Sequence, residues 1–409
     1  MYNLHLSPEQ LEIRDTVRDF VAQEVKPPAI EPKRLEARGR PLLLDVLDKA
    51  SQIGLRTLAL SEDAGGAGAD NLTCCIVTEE LAVGDPDVAA VLAQTSTLAH
   101  ELFDRAMTDE QRGRFLPAFL NHDRYHLALA EHEPDRDATL GINYHRPQSS
   151  DTPFKTTAKR SGDAWIVNGL KDRVANAPLA GLFAVQVTTG AGVSTLLVPR
   201  GTPGLAVTEI AASRRWHHGA YGTVTLKDCR VPAGNLLGSE ARSPLAADAG
   251  RRIPQDQALN LGIGRAAYEA ALDYAQLRIQ GGRRIIEHQA IGGKLAEVLV
   301  RLEVARAAIW QAAWASDHPD AIADRSLPDL PLSTIAEAFV SDAIYHATKD
   351  AAECFGAMGV MKDMPLQKYV HDALICRHSG AGNSDAALRI AEALAGYRRP
   401  ASAAVLAAE

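Results

Sequence analysis

Four short runs between Phe154 and Gly238 decide how this chain is read: Ala164-Trp165-Ile166-Val167, Leu182-Phe183-Ala184-Val185-Gln186-Val187, Ser194-Thr195-Leu196-Leu197-Val198 and Gly222-Thr223-Val224-Thr225-Leu226. Each has the length of a strand and is rich in β-branched or large apolar residues. Gly, Pro and Asn turns divide them, which predicts an antiparallel β unit. The flanks read differently. Ser7-Pro8-Glu9-Gln10 places a hydroxyl cap, then proline at the first helical position, then an early acid, a good helix start. Apolar-periodic stretches follow at Leu42 to Ile53 and Leu72 to Val83, with Gly65-Gly66-Ala67-Gly68 breaking the chain between them. Beyond Gly238, Ile291, Leu295, Val298, Leu302, Ala305, Ile309 and Ala312 are spaced by fours and threes, one apolar stripe along a helix of about six turns. The order is helices, β unit, helices, with expected units 1–125, 126–238 and 239–409.

That order excludes a Rossmann scaffold, which needs a strand, a Gly-rich turn and a helix beside a parallel sheet. Gly262-x-Gly264 lies within a helix-period segment and follows no strand. The chain has 409 residues, 46% hydrophobic and 23% charged, so it is long enough for two or three packed units and is not a wholly disordered chain. A net charge of -8 argues against a nucleic-acid backbone as partner. No apolar run approaches the roughly 18 residues of a membrane span, and Met1 to Arg18 lacks a signal-peptide layout. Cys74, Cys75, Cys229, Cys354 and Cys376 are scattered and odd in number, which fits a reducing, cytoplasmic setting better than a disulfide framework. His132, His145, His217 and His218 have no i,i+3 or i,i+4 pairing, so no metal site is expected.

Several segments, in order and spacing, resemble the acyl-CoA dehydrogenase family across nearly the full length. Ser61-Glu62-Asp63-Ala64-Gly65-Gly66-Ala67-Gly68 resembles its "PEEYGGAG" turn, and Glu79-Glu80-Leu81-Ala82 the helix after it. Asp228-Cys229-Arg230-Val231-Pro232 through Asn235-Leu236-Leu237-Gly238 resembles its "EDVRVP..NLLG" exit from the β domain. Tyr274-Ala275-x-x-Arg278 with Glu287-His288-Gln289 resembles "YA..R..FG....EHQ". The resemblance implies an α+β multidomain fold: an N-terminal α-helical domain, a middle antiparallel β-barrel and a C-terminal four-helix bundle. It also implies bound FAD, an acyl-CoA substrate, an electron-transferring flavoprotein as acceptor and a homotetramer built as a dimer of dimers.

Carried over residue by residue, the resemblance places Arg278 on the FAD pyrophosphate of a neighbouring subunit. It places Gln289 and the turn Phe355-Gly356-Ala357-Met358-Gly359 near the adenine half, with Arg377 to Asn383 at the last flavin loops. The family's aromatic after Arg278 is missing, with Gly281-Gly282 in its place. Glu131-His132-Glu133-Pro134 matches a "TEP" segment along the flavin, with His132 replacing the hydroxyl residue, and Ser150 falls in a "GSD" match. Between the two, Asp135 to about Gln148 is an insertion, read as a lid over the acyl pocket, as a grip on a polar acyl group, or as an inert surface loop.

Two departures bear on the chemistry. Oxidising an acyl thioester at Cα–Cβ needs a base for the α-proton. In most of the family this is a glutamate in a "YEGT" loop; counted from Asp372, Gly380 occupies its place, and glycine takes no proton. The place used by the isovaleryl-CoA dehydrogenase branch falls at Arg252. Asp256, one turn further on the same helix face, is the expected substitute base, against the alternative that it only stabilises a helix N-terminus. Second, the family's "K.WITNG" puts a tryptophan and a threonine hydroxyl on the flavin, where this chain has Arg173 and Ala175. The lost hydroxyl removes a hydrogen bond of roughly 1 kcal/mol. Arg173, Arg146 and Arg252 point to an anionic acyl group, since guanidinium recognises planar anions. The leading expectation is an FAD-dependent dehydrogenase with a non-standard base. A same-fold monooxygenase or desulfinase and a silent subunit of a mixed tetramer stand beside it.

Overall fold

The computed structural model describes residues 5–35, 40–134, 153–211, 216–245, 249–323, 331–378 and 382–395. The expected start of the first helix forms: in α1 (Pro8–Phe20) the Ser7 hydroxyl accepts from Gln10 N while the Gln10 side chain accepts from Ser7 N, a reciprocal cap on two orphan donors. The longer helices that follow are α2 (Leu44–Gln52), α3 (Asn71–Gly84), α4 (Pro86–Ala99) and α5 (Asp109–Asn121) before the sheet. After it come α6 (Ala249–Leu277), α7 (Gln289–Asp317), α8 (Leu332–Glu353), α9 (Leu366–His378) and α10 (Gly382–Leu394). Leu295, Val298, Leu302, Ala305, Ile309 and Ala312 are all buried, so the stripe on α7 faces the bundle core as its spacing requires.

The helices share one core. Val77 and Leu81 of α3, Val91 of α4, Leu261 of α6, Val298 of α7 and Val340 of α8 belong to the same buried cluster. Gly262 explains itself at this crossing: a Cβ there would lie 2.4 Å from Glu79 O, so α6 approaches α3 more closely than any side chain permits. The neighbouring charges lock the same crossing. Arg265 Nη1 reaches Glu79 Oε1 at 2.8 Å and also pairs with Glu80, Arg306 Nη2 of α7 reaches Glu79 Oε1 at 2.8 Å, and Arg18 Nη2 of α1 reaches Glu80 Oε1 at 2.7 Å. Breaking one member of such a buried set leaves its partner unpaired, which costs about 3–5 kcal/mol.

The middle strands are β1 (His126–Ala130), β2 (Thr157–Ser161), β3 (Ala164–Ala175), β4 (Ala180–Thr188), β5 (Val193–Pro199), β6 (Leu205–Glu209), β7 (Tyr221–Pro232) and β8 (Leu236–Leu237). Their order is β6-β7-β3-β2-β4-β5-β8, with β1 beside β4. Two features correct the expected antiparallel barrel. β1 and β2 both run parallel to β4, and β2 meets β4 at the single pair Thr157↔Thr188. The sheet also stays open, with β6 and the two-residue β8 at its ends, because closure needs paired edges and β8 is too short to offer one. β4 is buried on both faces: Phe183, Val185 and Val187 face one core, while Leu182 and Ala184 meet Phe103, Phe115 and Phe119 from the helical side. That is why it reads as an unbroken apolar run rather than an alternation.

Candidate functional site

The end of β3 is held in an unusual shape. Arg173 and Asn176 both have positive φ, 50° and 59°, a region that non-glycine residues enter at a cost of about 1–3 kcal/mol. Asn176 holds it there: its Nδ2 donates to Val91 O and to Thr95 Oγ1 of α4, both at 3.1 Å, and its N–H donates to Ala220 O at 2.6 Å. This clamp fixes Arg173 and Ala175 against the start of β7. The Arg173 guanidinium lies 5.6 Å from the Trp216 ring, Trp216 lies 5.2 Å from His217, and His217 stacks on Tyr221 at 4.8 Å. A cation and three rings thus line one wall.

Asp256 comes to the same space from α6. Its side chain is accessible, but to a recess rather than to open solvent. Enough protein surrounds it that burial pushes the carboxyl up to about 6, against a smaller pull from Arg252 one turn earlier. Asp256 acts electrostatically on Tyr221 and on Cys376 of α9, so three elements converge. Arg252 Nη1 meets Glu131 Oε1 at 3.3 Å, and His132 Nε2 lies 3.7 Å from the same oxygen. His217 is held down to about 4 by burial, reinforced by Arg173, His132 and His218. Burial, with Asp256 nearby, keeps the Tyr221 phenol protonated far above neutral pH.

The structure therefore brings Asp256, His132, Arg173 and Ala175 to one recess. It sets Arg278, Gln289, Gly356 and Gly359 elsewhere. Arg278 follows the C-terminal end of α6, exposed; Gln289 opens α7, also exposed; and Tyr274 stacks on Phe355 at 4.2 Å, tying the Gly356 turn to them. Twenty-two residues of helix separate Asp256 from Arg278, about 33 Å at 1.5 Å per residue. Gly356 has φ 56°, a conformation that favours glycine, and at Gly359 a Cβ would lie 2.3 Å from Ala352 O, so packing alone accounts for that glycine. Ser150, Gly380 and the 135–148 insertion lie outside the described residues, as does the side chain of Asn383. Glu133 is structural: it accepts from Lys155 N at 2.7 Å, Thr156 N at 2.9 Å and Lys171 Nζ at 2.8 Å. Among the described residues no group of three His, Cys, Asp or Glu side chains converges on a metal position, and no helix is long and apolar enough to cross a membrane. A separate depression lined by Lys159, Arg160, Trp165 and Glu240 contains none of these residues.

Sequence reasoning passed over Trp216, Tyr221, Gln94 and Glu131, and it set His217 aside as a rejected metal ligand. The pairing of Ala175 with Tyr221 across β3 and β7 was hidden by the irregular register between Lys171 and Val174. The recess suits a flavin. It offers an exposed indole, hydrogen-bond donors on His132, Arg173 and Tyr221, and beside Tyr221 a Gln94 amide oxygen that is buried with no hydrogen-bond partner.

Comparison with known proteins agrees with this architecture. Residues 7–123 match the N-terminal domain and residues 257–394 the C-terminal domain of acyl-CoA dehydrogenases, together more than half of the chain. The mitochondrial isobutyryl-CoA dehydrogenase of Dictyostelium discoideum is 29% identical over 393 residues, 94% of this chain and 88% of that protein. Butyryl-CoA dehydrogenase from Megasphaera elsdenii superposes with a TM-score of 0.80 at 23% identity, covering 97% of this chain and 100% of that one. A glutaryl-CoA dehydrogenase from Mycobacterium smegmatis, solved in complex with FADH2, gives a TM-score of 0.78 at 21% identity over 97% of each chain. With its helices, sheet and bundle in the same order and both terminal domains matched, the chain belongs to the acyl-CoA dehydrogenase family and is an FAD-dependent oxidoreductase.

Proposed function

We propose that this chain oxidises the Cα–Cβ bond of an acyl-CoA thioester, with Asp256 as the base that takes the α-proton. The observation that carries the reading is the placement of Asp256: an aspartate with its carboxyl raised to about 6, facing a recess shared with Arg173, Tyr221 and His132. A carboxylate in open water is a weak base; one raised to about 6 is ionised above neutral pH yet basic enough to accept a carbon-bound proton made acidic by the thioester. Arg252 keeps it ionised, and Glu131 holds Arg252 in place. Bound FAD supplies the hydride acceptor. His132 and Arg173 supply donors where negative charge develops.

Arg252 is engaged by Glu131, which accounts for one of the three guanidinium groups that pointed to an anionic acyl group and leaves Arg173 in the recess. Arg278 and Gln289, exposed at the far end of α6, suit a role across a subunit boundary, in a homotetramer that hands its electrons to an electron-transferring flavoprotein in a reducing, cytoplasmic setting. The test is the absorption spectrum of the holoenzyme, kept anaerobic, before and after a panel of acyl-CoAs. One of them should bleach the flavin band, and Asp256→Asn should slow bleaching by about 10²–10⁴-fold. Full bleaching in that variant removes Asp256 from the chemistry; bleaching by an external reductant alone points to monooxygenase-type chemistry.

A further inference from the structure

The end of β3 lacks a hydroxyl at Ala175, and the structure offers one from the next strand. Ala175 and Tyr221 are directly paired across β3 and β7. Paired residues of an antiparallel ladder project from the same face, with Cβ atoms about 4.5–5.5 Å apart. The phenol therefore stands over the methyl of Ala175. It is held there twice, by the His217 ring stacked at 4.8 Å and by Gln94 Nε2 of α4, which donates to the Tyr221 hydroxyl oxygen at 3.3 Å. With the oxygen accepting from Gln94, the hydroxyl hydrogen is left to donate into the recess that Asp256 also faces. We propose that the Tyr221 hydroxyl donates to the bound flavin the hydrogen bond that Ala175 cannot make, so that Tyr221 and Gln94 are binding and positioning residues of this site. The inference rests on FAD occupying the recess.

Two features support a role for Tyr221 beyond filling space. Charged groups face the phenol from two elements, Arg173 on β3 and Asp256 on α6, so it sits where the flavin edge and the base would meet. Burial keeps it protonated across the working pH range, so it stays a donor.

Tyr221→Phe removes one oxygen and little else, and the holoenzyme is the material to test. One lost hydrogen bond of about 1 kcal/mol corresponds to roughly a fivefold weaker hold on FAD. The expected result is an FAD dissociation constant raised about fivefold and a displaced flavin absorption band in an apoprotein that still folds cooperatively. Adding Ala175→Thr to Tyr221→Phe returns a hydroxyl to the same face and should restore both values. A Tyr221→Phe holoenzyme with the wild-type band and affinity overturns the assignment. So does a double variant no better than the single one. If the wild-type chain binds FAD and is bleached by an acyl-CoA while Tyr221→Phe behaves identically, only this inference fails. A wild-type chain that takes up no FAD overturns the dehydrogenase reading and this inference together.

Discussion

His217 and His218 are neighbours in the chain, yet they serve two regions with opposite electrostatics. His218 turns into a knot: its Nδ1 lies 3.3 Å from Asp87 Oδ1, its Nε2 lies 3.0 Å from Asp372 O, and Asp372 is paired with Lys368 at 3.0 Å and with Arg40. Burial would raise the Asp372 carboxyl, but Arg40, Lys368 and His218 outweigh it and hold it far below the usual range. Burial would likewise lower His218, and Cys376, Asp87 and Asp372 outweigh it upward. Both groups are charged. His217 turns into the recess, where the balance reverses: it is held down to about 4, and Asp256, which Arg252 pulls down by less than burial pushes it up, is raised to about 6. Burial is common to both regions; the number of compensating partners differs. A knot of paired charges fixes structure, whereas a group left short of partners keeps a protonation state that chemistry can use.

The largest effect expected from breaking this contrast is on the knot. Asp372→Asn leaves Arg40 and Lys368 buried without their shared carboxylate and should cost about 3–5 kcal/mol in denaturant unfolding. The folded pKa of Asp372 lies below its unfolded value of about 3.9, so its stabilisation is present above that pH and is lost as pH falls below it. The variant should therefore flatten the acid side of the stability curve. His218 works in the other direction. Its folded value lies above the unfolded value of about 6.5, so its contribution is full below 6.5 and is lost as pH rises through the folded value; His218→Gln should flatten the alkaline side.

The recess should respond with the opposite sign. The folded Asp256 value of about 6 exceeds its unfolded value of about 3.9, so ionising it penalises the native state increasingly from about pH 4 to 6. Asp256→Asn should raise the melting temperature at pH 8, even as it slows the chemistry. A lower melting temperature there would place Asp256 among the structural charges instead. Stability gained where activity is lost is the mark of a strained functional site.

This contrast was only half legible in the sequence. The helix–sheet–helix order could be read because periodicity changes at Phe154 and again after Gly238, and the α7 stripe could be read because four-and-three spacing admits one buried face. That Arg252 and Asp256 lie one turn apart on α6 could be read from their spacing. The parallel pairing of β1 and β2 with β4 could not, since strand direction leaves no trace in an apolar run such as Leu182 to Val187. Nor could the roles of the two histidines. Both lie in the irregular segment before β7, and one residue of rotation sends His217 to Tyr221 and His218 to Asp87. Tyr221 was hidden for the same reason: its importance lies in a cross-strand neighbour more than forty positions away.

A finer measurement tests the opposing charge of Arg252. Arg252 is what lowers Asp256, and Glu131 competes for it. Arg252→Leu should move the acid limb of the kcat/KM profile to higher pH, since the carboxyl loses the cation that lowers it. Glu131→Gln should move it to lower pH, since the guanidinium is released toward Asp256. Shifts of the same sign in both variants would mean that general loosening, rather than charge, controls the limb.

The smallest expected effect is on His217, and it is the sharpest for the comparison because the knot lies one residue away. An ordinary histidine is half-charged near pH 6.5, whereas His217 should remain neutral down to about 4. In the NMR titration of the imidazoles, the His217 signal should stay flat from pH 8 to 5, while His218 should hold its proton to a pH above the ordinary midpoint of about 6.5. His217→Gln should improve stability on the acid side, because the unfolded chain then no longer gains a proton there that the native state refuses. Titration of His217 near 6.5 would show that the recess is wetter and less enclosed than its residues imply. It would also weaken the argument for a raised carboxyl on Asp256, because the same enclosure sets both values.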